Sequence, residues 1–194
     1  DHGSDTVSFT EPCFDDPKLR ANCIARKDGE HYVINGQKAA WVSNGSIADI
    51  AVLFCTLEPE RGFRGGCVIL VPLDLPGVDR PRPLDKIGQR SLNQGQIFFS
   101  EVRVPASHLV IGPDVYPFAL EGMLCHGNAG MSQLFIGVAR AALDHALDYA
   151  QERVQGGVPI GRHQSVRQRL FRMFMKVEAA RALARRTALY LATN

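Results

Sequence analysis

Long apolar runs, a paired-cysteine pattern and an excess of either charge are all missing from this 194-residue chain. No stretch approaches the roughly 20 apolar residues of a membrane span, and no charged-then-apolar signal segment opens it. No membrane partner is expected, and the cytoplasm is the expected compartment. The five cysteines, Cys13, Cys23, Cys55, Cys67 and Cys125, are odd in number and lack C-x-x-C spacing. They indicate neither a disulfide framework nor a zinc site, and reduced, mostly buried thiols are expected. Net charge is only +2, with 45% of residues apolar and 22% charged, which fits a globular protein and excludes a disordered one. Tryptophan occurs once.

Two composition regimes meet near residue 113. Before it, short runs rich in β-branched and aromatic residues cover Tyr32 to Ile34, Ile50 to Cys55, Cys67 to Val71 and Gln96 to Val102. They are punctuated by Asp28-Gly29, Asn35-Gly36, Asn44-Gly45, Arg64-Gly65-Gly66 and Pro76-Gly77, all read as turns. After it the apolar spacing becomes helical, through Leu134, Val138, Ala141, Ala142, His145 and Tyr149, and again through Val166, Leu170, Met173, Val177, Ala180 and Leu183. Gly156-Gly157-Val158-Pro159 divides the two helices. The expected fold class is α+β: an antiparallel β-barrel or sandwich over 1–113, then over 114–194 the first long antiparallel helices of a bundle.

The most informative stretch is Asn35-Gly36-Gln37-Lys38-Ala39-Ala40-Trp41-Val42-Ser43-Asn44-Gly45. On a strand, Trp41 and Ser43 point to the same side. A flat aromatic beside a small hydrogen-bonding group suits the edge of a planar cofactor, a flavin first of all. An isolated W-x-S more often belongs to an ordinary strand whose tryptophan fills a core next to a serine in a turn.

The neighbouring motifs bear on that choice. The stretch resembles the N-G-x-K-x-W-[IV]-[TS]-N-G segment of the acyl-CoA dehydrogenase family, which runs along the flavin. Gly3-Ser4-Asp5 resembles the end of that family's T-E-P-x-x-G-S-D loop, and Val102-Arg103-Val104-Pro105 its E-D-V-R-V-P strand end. Arg153-Val154-Gln155-Gly156-Gly157 resembles its R-x-[QT]-F-G turn, with His163-Gln164 at the offset of a later H-Q or F-Q pair. These motifs stand in the family's order and span nearly the whole chain. The chain opens at Asp1 inside the resembling loop, and Ala188-Leu189-Tyr190-Leu191 still reads as open helix. The resemblance therefore implies a helical domain before residue 1 and about half of another after residue 194.

What the resemblance implies for function is specific. The cofactor is FAD, with Gly3, Ser4, Trp41, Val42 and Ser43 along it and Ser43 bonding its N5 region. Arg153, Gln155, His163 and Gln164 belong to the phosphate and adenosine end, which the family reaches from a neighbouring subunit, so a homodimer or homotetramer is expected. Ser4, Cys125 and Asn128 fall where the family meets its acyl-CoA substrate. Cys125 and Asn128 replace an aspartate and an arginine of many members and cannot form a charge pair, which opens the substrate's identity. Gly156 stands where the family usually has a phenylalanine, removing a large contact surface. The catalytic base, a glutamate, is carried by one branch at the position of Gly127 and by the main branch beyond residue 194. Glu121 aligns with no base and is expected to face solvent.

The expected reaction is α,β-dehydrogenation of an acyl-CoA thioester, with electrons leaving to an electron-transfer flavoprotein. An oxygen-using oxidase or monooxygenase of the same fold, and a non-catalytic subunit, are the alternatives. Arg162, Arg167, Arg169, Arg172, Lys176, Arg181, Arg185 and Arg186 face a single Glu178 between residues 162 and 186, as in a nucleic-acid-binding helix. They do not all share one face, so a solvated or subunit-interface helix is favoured over nucleic acid.

Overall fold

The computed structural model describes residues 22–193. Their contacts form two compact units, one up to Leu120 and one from Glu121 onward. The first unit holds a seven-stranded sheet in the order β5-β6-β2-β1-β3-β4-β7. Its strands are β1 (Cys23–Asp28), β2 (His31–Ser43), β3 (Ile50–Thr56), β4 (Gly66–Pro72), β5 (Val78–Asp79), β6 (Gln94–Pro105) and β7 (Leu109–Ile111). Neighbours run antiparallel except β1 and β3, which meet in parallel at Ile24 and Thr56. The alternation of single strands carries no information about direction, so this parallel contact was not readable from the apolar runs.

Inward residues of five strands converge in one core that includes Ala25, Ile34, Leu53, Ile69, Ile97 and Val102. The core keeps its phase through a bulge in β6. Phe99 and Val102 are both buried although three positions separate them, which a regular strand with period two cannot manage. The register against β2 jumps at this point, and Glu101 adopts φ +51°. Asn35 clamps the bulge, its Oδ1 accepting from the Glu101 backbone N–H at 2.9 Å and its amide donating to the Glu101 carboxylate.

This changes the reading of Asn35-Gly36. The pair lies inside β2 and does not form a turn. Gly36 has φ +119°, and a Cβ there would sit 2.0 Å from the Asn22 carbonyl oxygen. Glycine is required because the chain entering β1 crosses so closely that the Gln37 N–H donates to Asn22 O at 2.8 Å.

Helix α1 (Tyr116–Glu152) starts three residues after the composition boundary near 113. Its first ring, Tyr116, lies within the first unit beside Phe63 and Phe54, with centroids 5.8 and 6.3 Å away. In the second unit the rest of α1 is joined to α2 (Gln164–Thr193) through a hairpin of β8 (Val154–Gln155) and β9 (Val158–Pro159). Leu143 and Ala150 of α1 and Val177 and Ala184 of α2 are buried. Arg140 and Glu178, at similar removes from the hairpin, approach to 3.7 Å, which fixes the two helices as antiparallel. Among the described residues no helix is long and apolar enough to cross a membrane.

Candidate functional site

The tryptophan strand ends in a second irregularity. Lys38 pairs with Ile97 and Val42 with Gly95, so β2 advances four positions while β6 advances two. Extra residues in one strand bend it and re-aim its side chains. Beyond the bulge the alternation resumes with Val42 packed against the core, while Trp41, 62% exposed, and Ser43 lie open. The sequence expectation that Trp41 and Ser43 share a face agrees with this exposure. The core reading of the tryptophan does not.

The strand end is pinned from several sides. Asn44 adopts φ +59° and its N–H donates to Asn93 O at 2.7 Å, while the Gly45 N–H donates to Val42 O at 3.1 Å. Ser46 Oγ donates to Asn93 Oδ1 at 2.9 Å. Lys38 Nζ donates to the Phe54 carbonyl of β3 at 2.7 Å, tying the near side of the bulge to the next strand but one. Gln94, paired with Ser43 in the register, places Nε2 3.4 Å from the Trp41 carbonyl and 3.5 Å from Ser43 Oγ. Its Oε1 accepts from Lys86 Nζ at 2.7 Å. Sequence reasoning missed Gln94 and Lys86, since only strand register brings them to Ser43. A hollow of about 240 Å³ adjoins this edge, lined by Lys38, Trp41, Val42, Val52 and Ile97 among others. It is too small to enclose a dinucleotide, so the edge acts as an open wall against which a ring can lie. A larger hollow of about 390 Å³, lined by Ile24, Arg26, Tyr32, Leu57 and Pro59 among others, touches none of the expected site residues.

The second constellation belongs to the helical unit. The Arg153 N–H donates to Tyr149 O at 2.9 Å as α1 ends, and its carbonyl accepts from Ile160 N at 2.7 Å. Gly156 and Gly157 adopt φ +65° and +80°, the pair of left-handed residues that a two-residue hairpin loop demands. Gly156 therefore serves the turn, and a Cβ there would meet only the His163 ring at 3.5 Å. His163 Nε2 lies 3.0 Å from the Gln155 carbonyl. A carbonyl can only accept, so this nitrogen carries the proton. The turn thus gathers Arg153, Gln155, His163 and Gln164, the first start of α2 being Gln164 itself. The Arg153 guanidinium is exposed and makes no ion pair among the described residues.

Cys125 and Asn128 are exposed on α1, three residues apart and so neighbours on one helix flank. Glu121 is exposed, as expected. Gly3 and Ser4 lie outside the described residues, as does Cys13. Of the other thiols, Cys23, Cys55 and Cys67 are free and buried and Cys125 is free and exposed. Cys55 and Cys67 face each other across β3 and β4 with sulfurs 3.5 Å apart. The neighbouring Cys55 lowers the Cys23 thiol below its ordinary value, while bonding to Cys23 and Cys67 and burial raise Cys55. Among the described residues no group of three or more histidine, cysteine or acidic side chains could hold a metal ion.

An exposed indole next to a hydroxyl on a stiffened strand end is a donor set that fits a planar heterocycle. An unpaired guanidinium on a tight turn fits a phosphate. In this α+β protein the sheet unit carries the first group and the helical unit the second. Family comparison makes the assignment specific: the acyl-CoA dehydrogenase middle domain matches residues 1–102 and the acyl-CoA dehydrogenase C-terminal domain residues 118–194. The chain belongs to the acyl-CoA dehydrogenase family.

Individual relatives agree. Cyclohex-1-ene-1-carbonyl-CoA dehydrogenase of Geobacter metallireducens is 35% identical over 183 residues, covering 94% of this chain and 48% of that protein. Glutaryl-CoA dehydrogenase of Desulfococcus multivorans is 31% identical over 181 residues, covering 93% and 46%. The crystal structure of acyl-CoA dehydrogenase from Geobacillus kaustophilus superposes with a TM-score of 0.82 at 27% identity, covering 89% of this chain and 46% of that one. The chain spans about half the length of the curated relatives it matches.

Proposed function

We propose that this protein is an FAD-dependent acyl-CoA dehydrogenase that introduces an α,β double bond into a CoA thioester. The observation that carries the proposal is the Trp41–Ser43 edge, an indole left 62% exposed on a strand end that a bulge and several hydrogen bonds hold in place. An exposed tryptophan with nothing to stack on wastes its apolar area, and a flavin ring supplies the missing contact. When bound, FAD accepts the two electrons released as the α-proton and β-hydride leave the substrate. Trp41 offers the face and Ser43 the hydrogen bond, while Val42 anchors both to the core.

Arg153, with Gln155, His163 and Gln164, holds the phosphate and adenosine end, and by the family motif Gly3 and Ser4 serve the cofactor, Ser4 also the thioester. In this reading Arg153 serves the flavin of a second copy, so the protein is a homodimer or homotetramer. Exposed Leu134, Phe135, Val138, Phe171 and Phe174 on the helical unit support burial against further protein. Electrons pass on to an electron-transfer flavoprotein. Three free buried thiols support a reducing cytoplasmic setting. Cys125 and Asn128, both uncharged, leave the α1 flank to a substrate group other than one gripped by a charge pair.

The test is an anaerobic titration of the full-length, FAD-loaded protein with straight, branched and cyclic acyl-CoAs, following the flavin's visible band. Bleaching by one class establishes dehydrogenation and identifies the acyl type. A flavin that stays oxidised with every member overturns the proposal and transfers the assignment to an oxygen-using or non-catalytic flavoprotein.

A further inference from the structure

Gln94 stands opposite Ser43 in the β2–β6 register, and its carboxamide is held at both ends. At one end Oε1 accepts from the Lys86 ammonium at 2.7 Å. An ammonium only donates, so this bond decides which end of the amide is oxygen. The other end, Nε2, therefore faces β2, shared between the Trp41 carbonyl at 3.4 Å and Ser43 Oγ at 3.5 Å. An amide nitrogen donates and cannot accept, so Ser43 Oγ is the receiving partner. Its one proton is left to point away from Gln94.

Lys86 is itself fixed. Its carbonyl accepts from Arg90 at 2.8 Å, Arg90 pairs with Asp85 at 2.9 Å, and the Leu84 N–H donates to the Gln94 carbonyl at 2.8 Å. The segment from 84 to 94 is a closed loop that presents a cation to the outer end of the amide. Bonds in such a chain polarise one another, so a positive charge at the far end strengthens the donor at the near end.

We propose that Lys86 and Gln94 are positioning residues that set the polarity of the Ser43 hydroxyl, making it a hydrogen-bond donor toward an acceptor atom of the flavin ring. This rests on the reading of Trp41 and Ser43 as the flavin edge. A donor at that place favours electron density arriving on the ring, so the relay makes the bound flavin easier to reduce. Without Gln94, the hydroxyl proton is free to turn to the strand's own acceptors and the preference is lost.

The test uses the full-length protein loaded with FAD and reads the ratio of reduced to oxidised flavin against a reference dye, together with the position of the visible flavin band. Gln94→Leu is expected to lower that ratio about three- to tenfold, the worth of one oriented hydrogen bond. Lys86→Met is expected to move it the same way by less. In a Ser43→Ala background Gln94→Leu is expected to have no further effect, because the group it orients has gone. An equal effect of Gln94→Leu with and without the Ser43 hydroxyl, or none from Gln94→Leu or Lys86→Met, overturns the relay. If Ser43→Ala and Trp41→Phe also leave flavin spectrum and FAD affinity unchanged, the flavin edge itself is misplaced and both readings fall. Should Gln94→Leu fail to fold, Lys86→Met alone decides, since its side chain reaches Gln94 from a surface loop.

Discussion

Replacing Gly66 by alanine probes how the start of α1 is fastened to the sheet. Gly66 has φ −69° and ψ 161°, a conformation open to any residue, so the substitution introduces no backbone strain. Its cost is steric. The new Cβ would fall 2.1 Å from Tyr116 Cε1 and 2.5 Å from Cδ1 and Cζ. The ring has nowhere to slide, being 9% exposed and backed by Phe63 and Phe54. It must swing out, or β4 must give, and overpacking of this kind costs about 1–3 kcal/mol. Tyr116→Ala alone is expected to cost about 3 kcal/mol through lost burial. In that background Gly66→Ala should be nearly free, giving a coupling of about 2 kcal/mol in a double-mutant cycle measured by urea unfolding.

A second readout comes from the phenol. Burial, with smaller contributions from Cys55 and Cys67, pushes the Tyr116 pKa up to about 12. A raised folded value means that the neutral ring's stabilisation is fully present below the unfolded value near 10 and is lost as pH rises through 12. Two pKa units correspond to about 3 kcal/mol over that alkaline window. Swinging the ring out should bring its ultraviolet ionisation back toward 10 and shrink the alkaline loss. If Gly66→Ala costs the same with Tyr116 present or absent, the steric account is wrong.

Arg103 donates to the Asp28 carboxylate at 2.7 Å and holds its pKa below the ordinary value. That contribution is present above the unfolded value near 4 and is lost as pH falls through the lower folded one, so Arg103→Gln should flatten the acid limb of a stability-against-pH curve. Gly156→Ala and Gly157→Ala each place a side chain at positive φ and should cost about 1 kcal/mol in thermal unfolding, with little change at Gly88→Ala, where φ is not positive and space is open. Trp41→Ala should leave stability without FAD within about 0.5 kcal/mol, because the indole is already exposed, while weakening FAD binding in a spectroscopic titration.

The α+β class and the helical pair were legible because apolar spacing changes from two to 3.6 within one chain, and the buried Val177 of α2 lies on that rhythm, whereas in α1 the expected face of Leu134, Val138 and Tyr149 is exposed and the buried Leu143 and Ala150 fall on the opposite one. The Trp41–Ser43 face was legible for the same reason, since alternation is a local property. What depends on pairing was not. The 102–104 and 97–99 segments of β6 share a core only because Glu101 bulges, and a bulge has no distinctive composition. Asn35-Gly36 carries a turn signature, yet glycine serves there to admit the Asn22 carbonyl, a tertiary demand written in the same letters. Gln94 reaches Ser43 across 51 positions of sequence, and nothing near either residue announces the other. Gly156 looked like a lost contact surface from the family pattern, and its φ of +65° gives it a turn-forming reason of its own.

The central claim is that FAD lies against Trp41, and the tryptophan's own fluorescence tests it most directly. FAD is titrated into the cofactor-free full-length protein and its Trp41→Phe variant, and the emission difference between them isolates this one side chain. The difference signal is expected to be quenched, saturating at the same FAD concentration as the shift in the flavin's visible band. A flavin band that saturates while Trp41 emission stays unchanged would contradict the claim.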